Sequence, residues 1–287
     1  MEEKAFLGVF GGSGVYDLDS LEEVRSLEMA TPFGPPSDEL LLGTLDGVRV
    51  AFLPRHGRGH RYLPSEVPYR ANVWALRALG VHRILSISAV GSLAEDIAPG
   101  EFVLVDQFID RTFKRETTFF GRGQVAHVPL ADPVCPDMRR VLREQSEALD
   151  LVVHDGGTYL CIEGPQFSTR AESELYRSWG CRVIGMTNAT EARLAREAGI
   201  SFCTIAMVTD YDCWHPDHEH VTVEQIVATA HANARRVREL VRRSLRPLAD
   251  LGPSPWRQVL HGAVMTPATL VPPETRTATE VLFREDD

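Results

Sequence analysis

The sequence predicts an α/β fold, a single three-layer domain with a central mixed, mainly parallel sheet. Two patterns carry that expectation. Short apolar runs alternate with longer amphipathic stretches along the chain, as strand–helix units do. Glycine-rich, hydroxyl and charged residues collect just after the short runs, where open α/β sheets bind ligands. The 287 residues are 44 % hydrophobic and 24 % charged, ordinary globular proportions. A chain of this length can bury a large core without staples.

Taken in order, residues 5–10 read as a buried strand that runs into Gly11-Gly12-Ser13-Gly14. A second strand over 48–53 ends at Pro54-Arg55-His56-Gly57. Residues 65–79 place Val73, Leu76 and Leu79 at helical spacing, and Gly80 stops the helix. Strands are expected over 83–89 and 101–108, a helix over 136–149 and a strand over 158–162. A helix over 168–179 takes Ser168 as its N-cap, with Glu172 nearby. A strand over 183–186, a helix over 190–198 and a strand over 202–208 follow. A long helix with a basic face covers 222–245. We find neither an internal repeat nor a linker, so residues 1–265 read as one domain. Residues 266–287, rich in Pro and Thr, read as an extended C-terminal tail.

Composition narrows the function. Thirty Lys plus Arg against forty Asp plus Glu give a net charge of −10, so nucleic acid is not an expected partner. Only Lys4 and Lys114 are lysines, a skew that base composition of the genome explains. Five cysteines without a CxxC pair suit buried thiols in a reducing cytoplasm. The start, Met-Glu-Glu-Lys, is unlike a signal peptide. No apolar run approaches the roughly 18 residues of a membrane span.

Several strand ends carry groups with chemistry. The loop Gly11–Gly14 offers backbone amides to an anion, or makes a tight strand exit. It is neither GxGxxG nor a P-loop, so no dinucleotide or triphosphate cofactor is expected. Arg55 and His56 make an anion clamp, a planar fork with a second donor, or else a surface salt bridge. Ser88, Ala89, Met186 and Thr187 close two further strands. Asp210 and Asp212, two apart in an extended segment, would point to one side. Such a pair suits acid/base work or a ligand with two donors; the same residues also occur in helix caps and loops. His215, Asp217, His218 and His220 match no zinc spacing, so no metal is expected and a solvated loop near the site is preferred. No nucleophile elbow occurs.

The order of motifs resembles the methylthioadenosine phosphorylases of the trimeric purine nucleoside phosphorylase family. The resemblance covers about residues 5–245. It rests on Gly11-Gly12-Ser13-Gly14, Pro54-Arg55-His56-Gly57, Ala89-Val90-Gly91-Ser92-Leu93, Asp106-Gln107-Phe108-Ile109-Asp110-Arg111-Thr112, Glu163-Gly164-Pro165-Gln166-Phe167, Gly185-Met186-Thr187 and Thr209-Asp210-Tyr211-Asp212-Cys213-Trp214. It implies a nucleoside phosphorylase-like fold and a cytoplasmic homotrimer. The implied reaction is phosphorolysis of 5′-methylthioadenosine to adenine and 5-methylthioribose 1-phosphate, a step of purine and methionine salvage. Inorganic phosphate is then a co-substrate and no cofactor is needed. Carried over by position, Ser13, Arg55, His56, Ser88, Ala89 and Thr187 hold phosphate. Met186 lies under the ribose, and Asp210, Tyr211 and Asp212 face the base. Phe167, Ser168, Val223 and Ile226 border the ribose and methylthio group. His127 reaches in from an adjacent subunit. Asn188-Ala189-Thr190 and His215-Pro216-Asp217 depart from the family's usual stretches.

In this chemistry phosphate attacks an oxocarbenium-like sugar carbon, held in line by donors that replace its water. The leaving purine needs a proton or hydrogen bond at N7. Asp210 can give it if burial and the charge of Asp212 raise its pKa. Asp212 then accepts from the amine of adenine. The nearest alternative is the same fold acting on 6-oxopurine nucleosides, as a purine nucleoside or methylthioinosine phosphorylase. A nucleosidase would leave the anion site unexplained. A nucleoside-binding module would bind without turnover.

Overall fold

The computed structural model describes residues 5–11, 21–216 and 222–284. Their strands are β1 (Leu7–Gly11), β2 (Glu22–Leu27), β3 (Leu40–Leu45), β4 (Val48–Pro54), β5 (Arg83–Ser92), β6 (Phe102–Leu104), β7 (Gln107–Asp110), β8 (Val153–Asp155), β9 (Thr158–Cys161), β10 (Cys181–Gly185) and β11 (Ser201–Asp210). The α-helices are α1 (Tyr69–Ala78), α2 (Pro136–Glu147), α3 (Arg170–Ser178), α4 (Asn188–Glu197), α5 (Val223–Ala249) and α6 (Pro273–Thr279). The strands form one mixed sheet, ordered β2-β3-β4-β1-β5-β10-β9-β7, with β11, β6 and β8 branching from β5.

Period-two alternation builds the three layers. Leu7 and Val9 of β1, Val50 and Phe52 of β4, and Leu85 and Ile87 of β5 face one way, onto α2 and α5 through Met138, Val141, Leu240 and Val241. Phe10, Ala51, Leu53 and Ile84 face the other way, onto α1 and α4 through Val73, Leu76 and Ala195. The central parallel strands are buried on both faces, which is why they read as continuous apolar runs. β2 differs: it forms an edge, is almost fully exposed, and shifts register between Glu22 and Arg25.

β5 is the branching point. Along Arg83–Ser86 it pairs with β1, and at Gly91–Ser92 it pairs antiparallel with β10 on that same side. β11 runs along its other side from Arg83 to Gly91. Residues 87–90 thus have a strand on one side only.

The structure revises several expectations. The run 101–108 is two strands. β6 pairs with β11 and β8, whereas β7 pairs with β9. The chain crosses between the branches at Val105–Asp106, where Asp106 Oδ1 accepts from Gly157 N at 3.0 Å. α1 begins only after Pro68, because the residue before a proline avoids the helical region. α3 is capped by Thr169, not Ser168. Thr169 Oγ1 accepts from Glu172 N, and Glu172 returns a bond to Thr169 N, a reciprocal box that needs a three-residue spacing. β2, β3 and β8 were not foreseen.

The stretch 266–287 is not an extended tail where it is described. It carries a 3-10 turn at Ala268–Leu270, α6, and a second 3-10 turn at Glu280–Phe283. These lie across α1: Trp74 Nε1 donates to Ala278 O at 2.9 Å, and Leu282 joins the core on the α1 face. Leu282 is 2 % exposed. Leu282→Ala should therefore destabilise the fold by about 2–4 kcal/mol, read as a lower urea midpoint. A midpoint within error of the parent would mean that the segment is not part of the core.

Candidate active site

A cavity of about 330 Å³ opens where β5 lacks its second neighbour. Its walls come from the carboxyl ends of β4, β5, β10 and β11 and from the first turns of α5. Ten sequence-predicted residues line it: Arg55, His56, Ser88, Ala89, Phe167, Met186, Thr187, Asp210, Asp212 and Ile226. Tyr211, Ser168, Val223 and His127 do not. The Ser168 carbonyl accepts from Cys213 Sγ at 3.3 Å, behind the base end. Val223, the first residue of α5, is 62 % exposed. His127 is exposed, its backbone bonded to Ala263 O. Ser13, like Asp217, His218 and His220, lies outside the described residues.

At one end the groups are donors. Ala89 is the one exposed residue of β5 and borders the cavity. Ser88 Oγ lies 3.3 Å from Tyr159 Oη. Thr187 stands at the N-cap of α4 but makes no side-chain cap bond. Arg55 departs from the expected fork. Its Nε and Nη2 engage both oxygens of Glu191, Nη2 also donates to Ser86 Oγ at 2.6 Å, and Nη1 donates to Ile87 O at 3.0 Å. Burial alone would lower the Arg55 pKa; the Glu191 carboxylate outweighs it, and the net shift is upward. His56 keeps one ring nitrogen on protein: Nδ1 lies 2.9 Å from Tyr62 O, and its ring stacks on His60 at 4.2 Å. Burial, then the Arg55 charge, pushes its pKa down to about 4. At neutral pH the ring is uncharged, with the Nδ1 proton directed at the carbonyl.

At the other end stand two carboxylates. They do not share a side through an extended strand. β11 ends at Asp210, and Asp212 sits in a turn at φ 52°. Asp210 Oδ1 makes that turn by accepting from Asp212 N at 2.8 Å, so the side chain closes its own loop. Thr209 Oγ1 lies 2.7 Å from Asp210 Oδ2 and 3.2 Å from Val90 O. Gly91 makes room, since a Cβ there would come within 2.9 Å of Asp210 Oδ1. Both carboxyls titrate high. Burial raises Asp210. Burial, with the Asp210 charge adding to it, pushes Asp212 up to about 6. Each carboxyl therefore holds a proton to higher pH than a free aspartate does.

Met186 forms the floor between the ends and packs on Gly164, whose φ of 69° and contact with the sulfur exclude a side chain. The Met186 carbonyl accepts from Arg115 Nη1, and Arg115 is in turn paired with Glu163 at 3.1 Å. The sequence reading missed Glu191, Arg115, His60 and Thr209. A Glu in the stretch 188–195, where Asn, Ala, Thr and Leu predominate, was the available signal, because a charge on a mostly buried helix requires a partner.

This is the architecture of a nucleoside phosphorylase, an α/β sheet whose strand ends set anion donors opposite base-reading carboxylates. Residues 6–246 match the Phosphorylase superfamily, and the chain belongs to its methylthioadenosine phosphorylases. It is 60 % identical over 244 residues to the S-methyl-5′-thioadenosine phosphorylase of Rhodospirillum rubrum, covering 85 % of this chain and 83 % of that one. Among solved structures, a methylthioadenosine phosphorylase from an Antarctic soil metagenomic library superposes with a TM-score of 0.93 at 46 % identity, over 98 % of this chain and 99 % of that one. A methylthioadenosine phosphorylase from Schistosoma mansoni in complex with adenine gives 0.86 at 36 % identity, over 91 % and 99 %.

The low pKa of His56 has a consequence for stability. An unfolded histidine takes up a proton near pH 6.5, whereas this one does so only near 4. Between those values the unfolded chain binds more protons, so stability falls as pH falls. Between pH 7.5 and 5 this contributes on the order of 2 kcal/mol. His56→Asn should lose correspondingly less stability over that interval in urea unfolding. Parallel losses in both proteins would show that His56 does not hold its proton off.

Proposed function

We infer that the protein catalyses phosphorolysis of 5′-methylthioadenosine, releasing adenine and 5-methylthioribose 1-phosphate. The observation that carries this reading is one cavity with anion donors at one end and two carboxyls of raised pKa, Asp210 and Asp212, at the other. Phosphate takes the donor end, at Arg55, His56, Ser88, Ala89 and Thr187, with Ser13 assigned there by family resemblance. It lies beneath the sugar carbon that it attacks, and its charge stabilises the oxocarbenium-like transition state. The bond to C1′ forms as the bond from C1′ to N9 breaks, and the electron pair leaves with the purine. Met186 and Phe167 border the sugar, and Ile226 of α5 borders the methylthio group. No covalent enzyme intermediate is needed, and phosphate is a co-substrate.

The Asp pair handles the leaving base. Adenine presents an acceptor at N7 and a donor at its amine. An ionised Asp212 accepts from the amine, and Asp210, whose pKa burial raises, donates a proton to N7. A 6-oxopurine would turn its carbonyl acceptor toward Asp212 and leave a buried acceptor facing another, at a cost of about 1–3 kcal/mol. The reading therefore favours adenine over 6-oxopurine nucleosides.

Methylthioadenosine cleavage should require phosphate, and undiminished cleavage in phosphate-free buffer would make the protein a hydrolase. Methylthioadenosine should be a far better substrate than inosine. The double change Asp210→Asn and Asp212→Asn should move that preference toward inosine by about tenfold to a hundredfold. If inosine is the better substrate of the unaltered protein, the base-site assignment is wrong.

The reading extends to assembly. The family resemblance assigns His127, exposed and outside its own cavity, to a neighbour's site, and on that ground we assign a homotrimer. Light scattering should give about three times 31.9 kDa, and an active protein of one-chain mass would refute it. Among the described residues no helix is long and apolar enough to cross a membrane, and the described cysteines are all unpaired. A reducing cytoplasm suits both.

A further inference from the structure

Behind the donor end lies a buried network of side chains. Glu191, in the first turn of α4, is 1 % exposed and Arg55 is 4 % exposed. Glu191 Oε2 accepts from Arg55 Nη2 at 3.2 Å, from Ser86 Oγ at 2.7 Å and from Asn188 Nδ2 at 3.0 Å. Asn188 Nδ2 also donates to Ser86 Oγ at 3.0 Å. A guanidinium has five N–H bonds. Glu191 takes two from Arg55, Ser86 one and Ile87 O one, which leaves a single Nη1–H for a ligand.

We propose that Glu191 is a positioning residue that sets the charge of the phosphate site, by pairing with Arg55 so that the anion meets a neutral ion pair rather than a free cation. This rests on phosphate occupying the donor end of the cavity. A guanidinium with no counter-charge, held in a water-poor pocket, would bind the phosphate dianion very strongly. Strong binding of the ground state raises the barrier to attack, because only interactions that grow in the transition state accelerate the reaction. Glu191 moderates that binding. The dianion is then held mainly by the neutral donors, the amides and hydroxyls at Ser88, Ala89 and Thr187, with one bond from Arg55.

The probe is inorganic phosphate, with full-chain protein and methylthioadenosine as the second substrate. Glu191→Gln keeps the shape and removes the charge. Asn188 Oδ1 is buried without a partner, so rotation of that amide supplies an acceptor for the new Gln NH2 and the fold should persist. We expect the phosphate KM to fall at least about threefold and kcat to fall, with the nucleoside KM unchanged. Arg55→Ala should raise the phosphate KM, because it leaves the Glu191 carboxylate buried, unpaired and repelling the anion. Adding Glu191→Gln to Arg55→Ala should recover about tenfold of that loss. This second comparison decides the matter if Glu191→Gln alone fails to fold, since the double variant buries no unpaired charge. A phosphate KM that rises in Glu191→Gln, equal changes in both KM values, or a double variant no better than Arg55→Ala would overturn the proposal. Loss of phosphate dependence in the unaltered protein would instead overturn the phosphorolysis reading.

Discussion

Everything at the active site follows from a strand that changes neighbours. β5 starts beside β1 and finishes beside β10, and for residues 87–90 one flank has no strand at all. Backbone polar groups that leave a ladder must find other partners, and the structure supplies them from side chains. Ile87 O takes Arg55 on the open flank, while on the other flank, where β11 shifts register, Val90 O meets Thr209 Oγ1. Two ends of the cavity are thus anchored to the same short stretch of backbone. Their separation is fixed by β-sheet geometry, at about 3.3 Å per residue, and not by a loop.

The second constraint is the cost of charge without water. Two arginines are buried beside the cavity, and each is matched by a glutamate: Arg55 by Glu191, and Arg115 by Glu163. Such pairs add little net stability, but removing one partner is costly, so they hold geometry firmly. Arg115 and Glu163 secure the Met186 floor. The Arg55 pair secures the anion wall. Asp210 and Asp212 differ, since burial raises the pKa of each and a bound base can change how they are protonated. The base end can therefore change its charge with what is bound there.

Much of this was legible in the sequence. The β1, β4, β5 and β11 runs are apolar and end in chemistry-bearing residues, so the fold class and ten cavity residues followed from the strand-end rule and the motif order. Other parts failed for identifiable reasons. β2 is polar on both faces and gives no alternation to read. The α3 cap was misplaced by one residue because two hydroxyls are adjacent; only the spacing from Thr169 to Glu172 separates them. Asp210 and Asp212 converge through a side-chain-closed turn, which looks identical to an extended pair in sequence. Arg55 was read as an open fork because its partner lies 136 residues downstream, and no local pattern announces a pairing at that distance.

The exposed edge at β2 bears on how the protein behaves in concentrated solution. A bare edge strand invites a stranger's strand and seeds fibrils. Here that edge carries Glu22, Glu23 and Arg25, and Glu23 sits at a φ of 52° where the register slips. Glu23 is also tied sideways to Arg49 at 3.0 Å. A foreign strand arriving at this border would meet a kink and would have to bury charge. The sheet can therefore remain open at one side without recruiting further strands into an aggregate.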